Sequence, residues 1–221
     1  MTAIRKTRVF VWVLLVFLIG IGLVWYTVFA VNRPDASTPA PSSQRVELVR
    51  EDSHRSTSPA AAQAQLVEFV DFACQACRQA QPLVEELKKE YGDRVTFVSR
   101  YFPQPADRNS AAAALAVEAA AQQGKYEQMY SKMFQTQPQW SGKQESQASL
   151  FRSYAQDLGL DMDAYDSAVT DDKTKVRVKE DITDGTGLGV KDAPTFFLND
   201  KMLKLDSKEQ FGRELAQFSA K

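Results

Sequence analysis

Cys74-Gln75-Ala76-Cys77 places two thiols one helical turn apart, and these are the only cysteines in 221 residues. A pair at this spacing can close and open a disulfide within one turn, so the chemistry it points to is thiol-disulfide exchange. Two other uses are poorer readings. A zinc site needs two further ligands, and the chain offers only His54 beyond the cysteines. A purely structural bridge over four residues would constrain the unfolded chain by only about 2 kcal/mol.

The elements around the pair must present one thiol and shield the other. Leu66 to Phe72 (LVEFVDF) is a near-continuous apolar run, the pattern of a central strand covered on both faces, with Glu68 as its polar interruption. Arg78 to Tyr91 keeps helical spacing through Ala80, Val84, Leu87 and Tyr91 and stops at Gly92. The thiols therefore sit at a helix amino terminus, where unpaired N–H groups lower the pKa of the first, Cys74, and make it the nucleophile. Cys77, deeper by one turn, resolves the mixed disulfide intramolecularly.

A second strand follows at Arg94 to Tyr101. From Pro105 to about Thr186 the chain reads as helices: an alanine-rich Ala111 to Gln123, then Lys125 to Gln135 with Tyr126, Met129, Tyr130, Met133 and Phe134 on one face, Ser149 to Leu158, and Asp161 through Ile182. That aromatic and methionine stripe reads as core rather than as a peptide groove. Thr195 to Leu198, the turn Asn199-Asp200 and Lys201 to Leu205 predict a hairpin. Ser207 to Gln210 matches a capping box before a helix burying Phe211, Leu215 and Phe218. The order is βαβ, helical insert, ββα. Gly185, Gly187 and Gly189 read as loop, and Lys88-Lys89 as a solvated helix face.

The amino-terminal third is different. Val9 to Val31 holds 23 residues without a charge, about 35 Å as a helix and enough for a hydrocarbon core of about 30 Å. Arg5, Lys6 and Arg8 in the segment 1–8 assign the amino terminus to the cytoplasm. The reading preferred is an uncleaved transmembrane signal-anchor at 9–31; a cleaved signal peptide ending near Ala30 is the alternative. Residues 32–62, rich in Pro, Ser and Thr, read as a flexible linker that includes His54, and the folded domain is expected over 63–219. A net charge of -1 gives no overall pull toward nucleic acid.

Val67 to Cys77, Pro82 in the following helix, the long helical insertion and Ala193-Pro194-Thr195-Phe196-Phe197 together resemble a DsbA-like thiol:disulfide oxidoreductase of the thioredoxin superfamily. The resemblance implies an α/β thioredoxin fold with an inserted helical subdomain over about 105–186, preceded here by one transmembrane helix. It also implies an exposed first cysteine, a buried acid beneath the second and a cis-proline loop facing the pair; position by position these are Cys74, Cys77, Glu68 and Pro194. Glu68, with a raised pKa in its apolar strand, would accept the Cys77 proton. The Ala193-Pro194 loop would dock substrate through main-chain groups, and Asp192, if close, would oppose the thiolate. Gln75-Ala76 and Asp192-Ala193 depart from the residues often found at those places. The activity expected is donation of disulfides to cysteine-containing exported proteins, with reduction or isomerisation, or a non-catalytic tethered binding module, as alternatives. No cofactor is expected. The implied partner is a quinone-linked membrane reoxidant of the DsbB or vitamin K epoxide reductase type.

Overall fold

The computed structural model describes residues 46–219 together with Gly20, Trp25 and Tyr26. Those three are helical and exposed; the rest of the expected anchor at 9–31, and the basic segment 1–8, lie outside the described residues. Among the described residues no helix is long and apolar enough to cross a membrane.

The domain is built on a five-stranded sheet in the order β1-β3-β2-β4-β5. Strands β2 (Ala64–Val70) and β3 (Val95–Tyr101) run parallel, pairing Ala64 with Val95 through Val70 with Tyr101, and α1 (Gln75–Tyr91) makes the crossover between them. A parallel pair needs such a crossover, and helices on both faces explain why β2 reads as a near-continuous apolar run and why every residue of β3 is buried. The hairpin of β4 (Thr195–Leu198) and β5 (Lys201–Leu203) adds antiparallel to β2, with Leu66 opposite Leu198 and Phe69 opposite Thr195. Its turn has φ +52° at Asn199, a conformation Asn tolerates. The Asn199 side chain accepts from the Gln65 amide at 3.0 Å and its own amide donates to the Gln65 carbonyl at 2.8 Å, fastening the turn to β2.

On one face, Leu66, Phe97, Phe196 and Leu198 pack against Val84 and Leu87 of α1 and Phe211 and Leu215 of α7 (Lys208–Ser219). The Ser207 hydroxyl accepts from the Gln210 amide as a capping box requires, but the Gln210 side chain reaches one residue further back, accepting from the Asp206 amide. The Phe218 side chain lies outside the described residues.

The helical insert comprises α2 (Ser110–Ala121), α3 (Tyr126–Thr136), a 3-10 turn (Gln137–Gln139), α4 (Ala148–Asp157), α5 (Met162–Thr170) and α6 (Asp172–Gly187). Alanines 113, 114, 116, 119 and 120 of α2 are all buried, because their small side chains let the other four helices of the insert pack round one. Met129 and Met133 are fully buried, so the stripe of α3 is core.

Two expectations are corrected here. Of the three glycines read as loop only Gly189 is one: α6 continues through Gly185 to Gly187, and Gly185 faces the sheet so closely that a Cβ there would lie 2.9 Å from the Phe69 ring and 3.0 Å from that of Phe102. The helix ends in a Schellman-type closure, with Gly189 at φ +87° and the Val190 amide bonded to the Gly185 carbonyl.

The expected linker over 32–62 is corrected within the described residues: those from Val46, and not only from Gln63, belong to the domain's compact unit, and the short strand β1 (His54–Arg55) pairs antiparallel with β3. Arg100, fully buried, explains the attachment: it ion-pairs with Asp181 and Asp184 of α6 and donates to the carbonyls of Glu47 and Leu48 at 2.8 and 2.9 Å. Arg50 pairs with Asp184 as well. His54 is therefore no solvated linker residue; its ring stacks on Tyr126 at 4.1 Å and its Nε2 lies 2.6 Å from the Glu118 carboxylate. Buried charges demand such partners, and those partners fix the strap.

Candidate active site

Cys74 is the N-cap of α1, with extended φ -73° and ψ 123°, and its amide donates to the Asp71 carbonyl at 3.1 Å. The cap position places its sulfur beside the first free N–H groups of the helix, and the amides of Ala76 and Cys77 favour its charged form although no capping hydrogen bond to the side chain is formed. The Cys74 thiol is lowered to about 6, chiefly because the Cys77 thiol donates a hydrogen bond to its thiolate, with those two amides adding to the effect. Partial burial and the charge of Asp71 act the other way. Cys77 is fully buried; burial first, then the bond to Cys74 and the charge of Glu68, push its thiol far up. Both cysteines are free, one accessible and acidic, the other hidden and protonated.

The third wall is the loop before β4. The Ala193-Pro194 bond is cis, and the Cys74 thiol donates to the Ala193 carbonyl at 3.1 Å. The expected proximity of this loop to the cysteines is therefore present. Asp192 uses its main-chain carbonyl to accept from the Thr195 hydroxyl at 2.6 Å, while the carboxylate that opposes the thiolate is Asp71.

Glu68 is buried, in register between Ser99 on β3 and Phe196 on β4. It shares the sheet face of Leu66 and Val70, the face covered by α1, because side chains alternate along a strand. Burial raises its carboxyl to about 7, against a lowering by Lys88 and by a hydrogen bond from Tyr130. The Tyr130 hydroxyl donates to Oε2 at 3.1 Å; Oε1 is buried without a hydrogen-bond partner. Lys88 departs from the expected solvated face: its Nζ lies 5.2 Å from the centre of the Tyr130 ring and its side chain is 11% exposed. Between α1 and α3 lies a cleft of about 340 Å³ bordered by Gln81, Pro82, Tyr130 and Phe134.

Other groups at the site escaped the sequence reading. Asp71 closes β2 and is buried; Oδ1 accepts from the Ala73 amide at 2.9 Å, and Oδ2 from the Gln104 amide and the Ser110 hydroxyl at 3.0 and 2.9 Å. It thereby ties the approach to Cys74 to the start of α2. Gln137, from the 3-10 turn, donates to the carbonyls of Phe72 and Cys74 at 2.7 and 2.8 Å, and Ser141 donates to that of Ala73 at 2.7 Å. An Asp directly after an apolar strand is a signal for the first; nothing local marks the others. Among the described residues no group of three or more His, Cys, Asp or Glu side chains is arranged to hold a metal ion.

Residues 57–216 match the thioredoxin family. The chain belongs to it. This thioredoxin-family chain is 35% identical over 144 residues to the Na(+)/H(+) antiporter NhaA 1 of Mycobacterium sp. (strain KMS), covering 63% of this chain and 22% of the antiporter. It is 34% identical over 142 residues to NhaA 3 of Salinispora tropica, covering 64% and 21%. The chain thus spans about a fifth of the length of these relatives. Among solved structures, alpha-DsbA1 from Wolbachia pipientis superposes with a TM-score of 0.67 at 19% identity, over 78% of this chain and 93% of that one. BdbD from Bacillus subtilis gives 0.65 at 18%, over 75% and 92%. A thioredoxin-like oxidoreductase from Silicibacter pomeroyi gives 0.64 at 20%, over 81% and 98%. The fold of this thioredoxin-family domain is thus the one carried by DsbA-like oxidoreductases.

Proposed function

We propose that the chain is a thiol:disulfide oxidoreductase that introduces disulfides into exported proteins through Cys74 and Cys77. The observation that carries this reading is the asymmetry of the pair: an accessible sulfur lowered to about 6 beside the Ala193 carbonyl, and a buried, strongly basic partner. In the oxidised enzyme a substrate thiolate attacks Cys74, the Cys74–Cys77 bond breaks, and the Cys77 sulfur leaves, taking a proton from Glu68. A second substrate thiolate then attacks the substrate sulfur of the mixed disulfide and expels Cys74 as a stabilised thiolate. Two electrons pass to the enzyme and one disulfide to the substrate. Ala193 and Pro194 are the proposed substrate-docking residues, holding an extended chain by main-chain hydrogen bonds.

The setting belongs to the proposal: a single-pass anchor at 9–31, the amino terminus cytoplasmic, the domain outside, and a quinone-linked membrane partner of the DsbB or vitamin K epoxide reductase type withdrawing the two electrons. Charge-free length and flanking basic residues support the anchor. Ion antiport is no part of the reading, because the chain spans about a fifth of the antiporters. A second reading, reduction or isomerisation, is favoured by Asp71, whose charge opposes the Cys74 thiolate and so favours the disulfide form.

The deciding experiment mixes the oxidised chain with a reduced dithiol peptide and sets the Cys74-Cys77 pair against glutathione buffers. Stoichiometric oxidation of the peptide, lost in Cys74→Ser, is the result expected. A pair that stays oxidised in a buffer as reducing as the cytosol would reverse the assigned direction, and a peptide left untouched would reduce the chain to a binding module.

A further inference from the structure

The buried acid is not held by the strand that carries it. Glu68 Oε2 receives its hydrogen bond from Tyr130 at 3.1 Å, 62 residues away on the helical insert, and the Tyr130 oxygen in turn accepts from Gln81 Nε2 of α1 at 2.6 Å. A phenol has one proton, and an amide nitrogen can only donate. With Gln81 donating to its oxygen, the phenol directs that proton at Glu68. One carboxylate oxygen is thereby occupied, and the other, Oε1, is left buried and without a partner.

We propose that Tyr130, oriented by Gln81, is the positioning residue for proton transfer at the redox pair: it fixes Oε2 so that Oε1 is the oxygen exchanging a proton with Cys77. This rests on the reading of Glu68 as the proton carrier. When Cys77 resolves a mixed disulfide, its S–H proton passes to Oε1, its sulfur bonds to that of Cys74, and the partner sulfur leaves as thiolate. The insert thus supplies part of the exchange machinery, with Phe72 edge-on to Tyr130 at 5.5 Å and Phe134 at 5.1 Å holding the phenol ring.

The charged and titratable groups around Glu68 come from both covering elements. Cys77, Glu85 and Lys88 lie on α1; Tyr126, Glu127 and Tyr130 lie on α3. Lys88 binds Glu85 at 3.0 Å and approaches Glu127 at 3.9 Å, so part of its charge is spent on the cleft rim, whereas the Tyr130 bond is directed at the acid itself. That bond favours the ionised carboxylate, and its loss raises the pH at which Glu68 gives up its proton.

The test attaches glutathione to Cys74 as a mixed disulfide and follows its release by Cys77 from pH 5 to 9. Wild-type release should rise with pH through a step that Glu68→Gln removes. Tyr130→Phe should move that step up by roughly one pH unit and slow release about tenfold on its acid side, with the wild-type rate recovered at high pH. Gln81→Leu should shift it in the same direction by less, and decides the matter if Tyr130→Phe does not fold. If Glu68→Gln abolishes the step while the Tyr130 and Gln81 variants superimpose on wild type, or are slowed equally at every pH, the positioning role is wrong and that of Glu68 stands. A step that survives in Glu68→Gln overturns both.

Discussion

The Cys74 sulfur and the Ala193 carbonyl, 119 residues apart in sequence, meet at 3.1 Å, so the thiol and the main chain proposed to dock substrate form one surface. In the reduced protein that carbonyl is occupied by the S–H. Ionisation of Cys74 releases it, so the nucleophile and the acceptor for an incoming chain become available together.

The thiolate should be measurable directly. Absorbance at 240 nm should show Cys74 titrating near the value of about 6, and one equivalent of iodoacetamide should react at pH 6.5 long before a second. Cys77→Ala removes the largest contribution, the bond from the second thiol, and should move the midpoint up. Equal labelling of both cysteines, or an unmoved midpoint in Cys77→Ala, would count against the assigned roles.

Glu68 should make the domain less stable as pH rises. Its carboxyl, raised to about 7 from an ordinary 4.5, keeps its proton in the folded chain over a window in which the unfolded chain has lost its own. The folded state therefore binds more protons between those values, and stability declines from about pH 4.5 to 7 and then levels. Glu68→Leu should abolish that decline, leaving the variant better placed relative to wild type at pH 8 than at pH 4 by roughly 3 kcal/mol. Urea unfolding of both proteins at the two pH values measures it; a constant difference would show that this carboxyl is not raised.

Arg100 should be the costliest single loss on the far side of the sheet. Arg100→Met takes from Asp181 and Asp184 the cation they share, leaving Asp181 with Arg177 and the Tyr101 amide and Asp184 with Arg50, and frees the carbonyls of Glu47 and Leu48. Removing one partner of a buried ion pair costs about 3 to 5 kcal/mol. Hydrogen exchange should report the release locally, through the Ser56 amide that donates to Phe97 at 2.9 Å. Unchanged protection there would mean that β1 holds without the arginine.

Gly185→Ala tests the close approach of α6. A Cβ 2.9 Å from Phe69 has to displace a buried ring, and overpacking of this kind costs about 1 to 3 kcal/mol, read as a lower thermal midpoint. A midpoint equal to that of the parent would show that the rings give way freely.

What could be read from the sequence was what is local. Cys74, Cys77 and the apolar strand before them announce themselves by spacing, and the hairpin by Asn199-Asp200. Glu68 was visible because a carboxylate inside an apolar run has nowhere dry to go without consequence. The roles of Gln137, Tyr130 and Lys88 were not: Gln137 and Tyr130 bond to other elements and Lys88 lies over the Tyr130 ring of another helix, and a Gln beside a Pro or a Lys in a basic pair looks the same whether it faces water or the interior. His54 was misread because Ser, Thr and Pro around it weaken any periodic signal, while the contacts that order it come from Glu118 and Tyr126. Gly189 is in a turn as expected, but Gly185 and Gly187 were misread, because a helix whose face must approach its neighbours closely uses Gly for the same reason a turn does: it has no side chain.

The two-residue strand β1 carries a consequence for solubility. All seven residues of β3 are buried, and its outer edge is covered by the pairing of His54 with Ser99 and Arg55 with Val98. Thr57 extends the cover, its hydroxyl accepting from the Phe97 amide at 3.0 Å and donating to the Val95 carbonyl at 2.7 Å. A chain begun at Gln63 would keep both cysteines, Glu68 and Pro194, yet expose an apolar strand edge with its main-chain donors and acceptors open. Such an edge recruits strands from other molecules. The stretch of chain from Val46 to Thr57 therefore guards this edge of the sheet against pairing with other molecules.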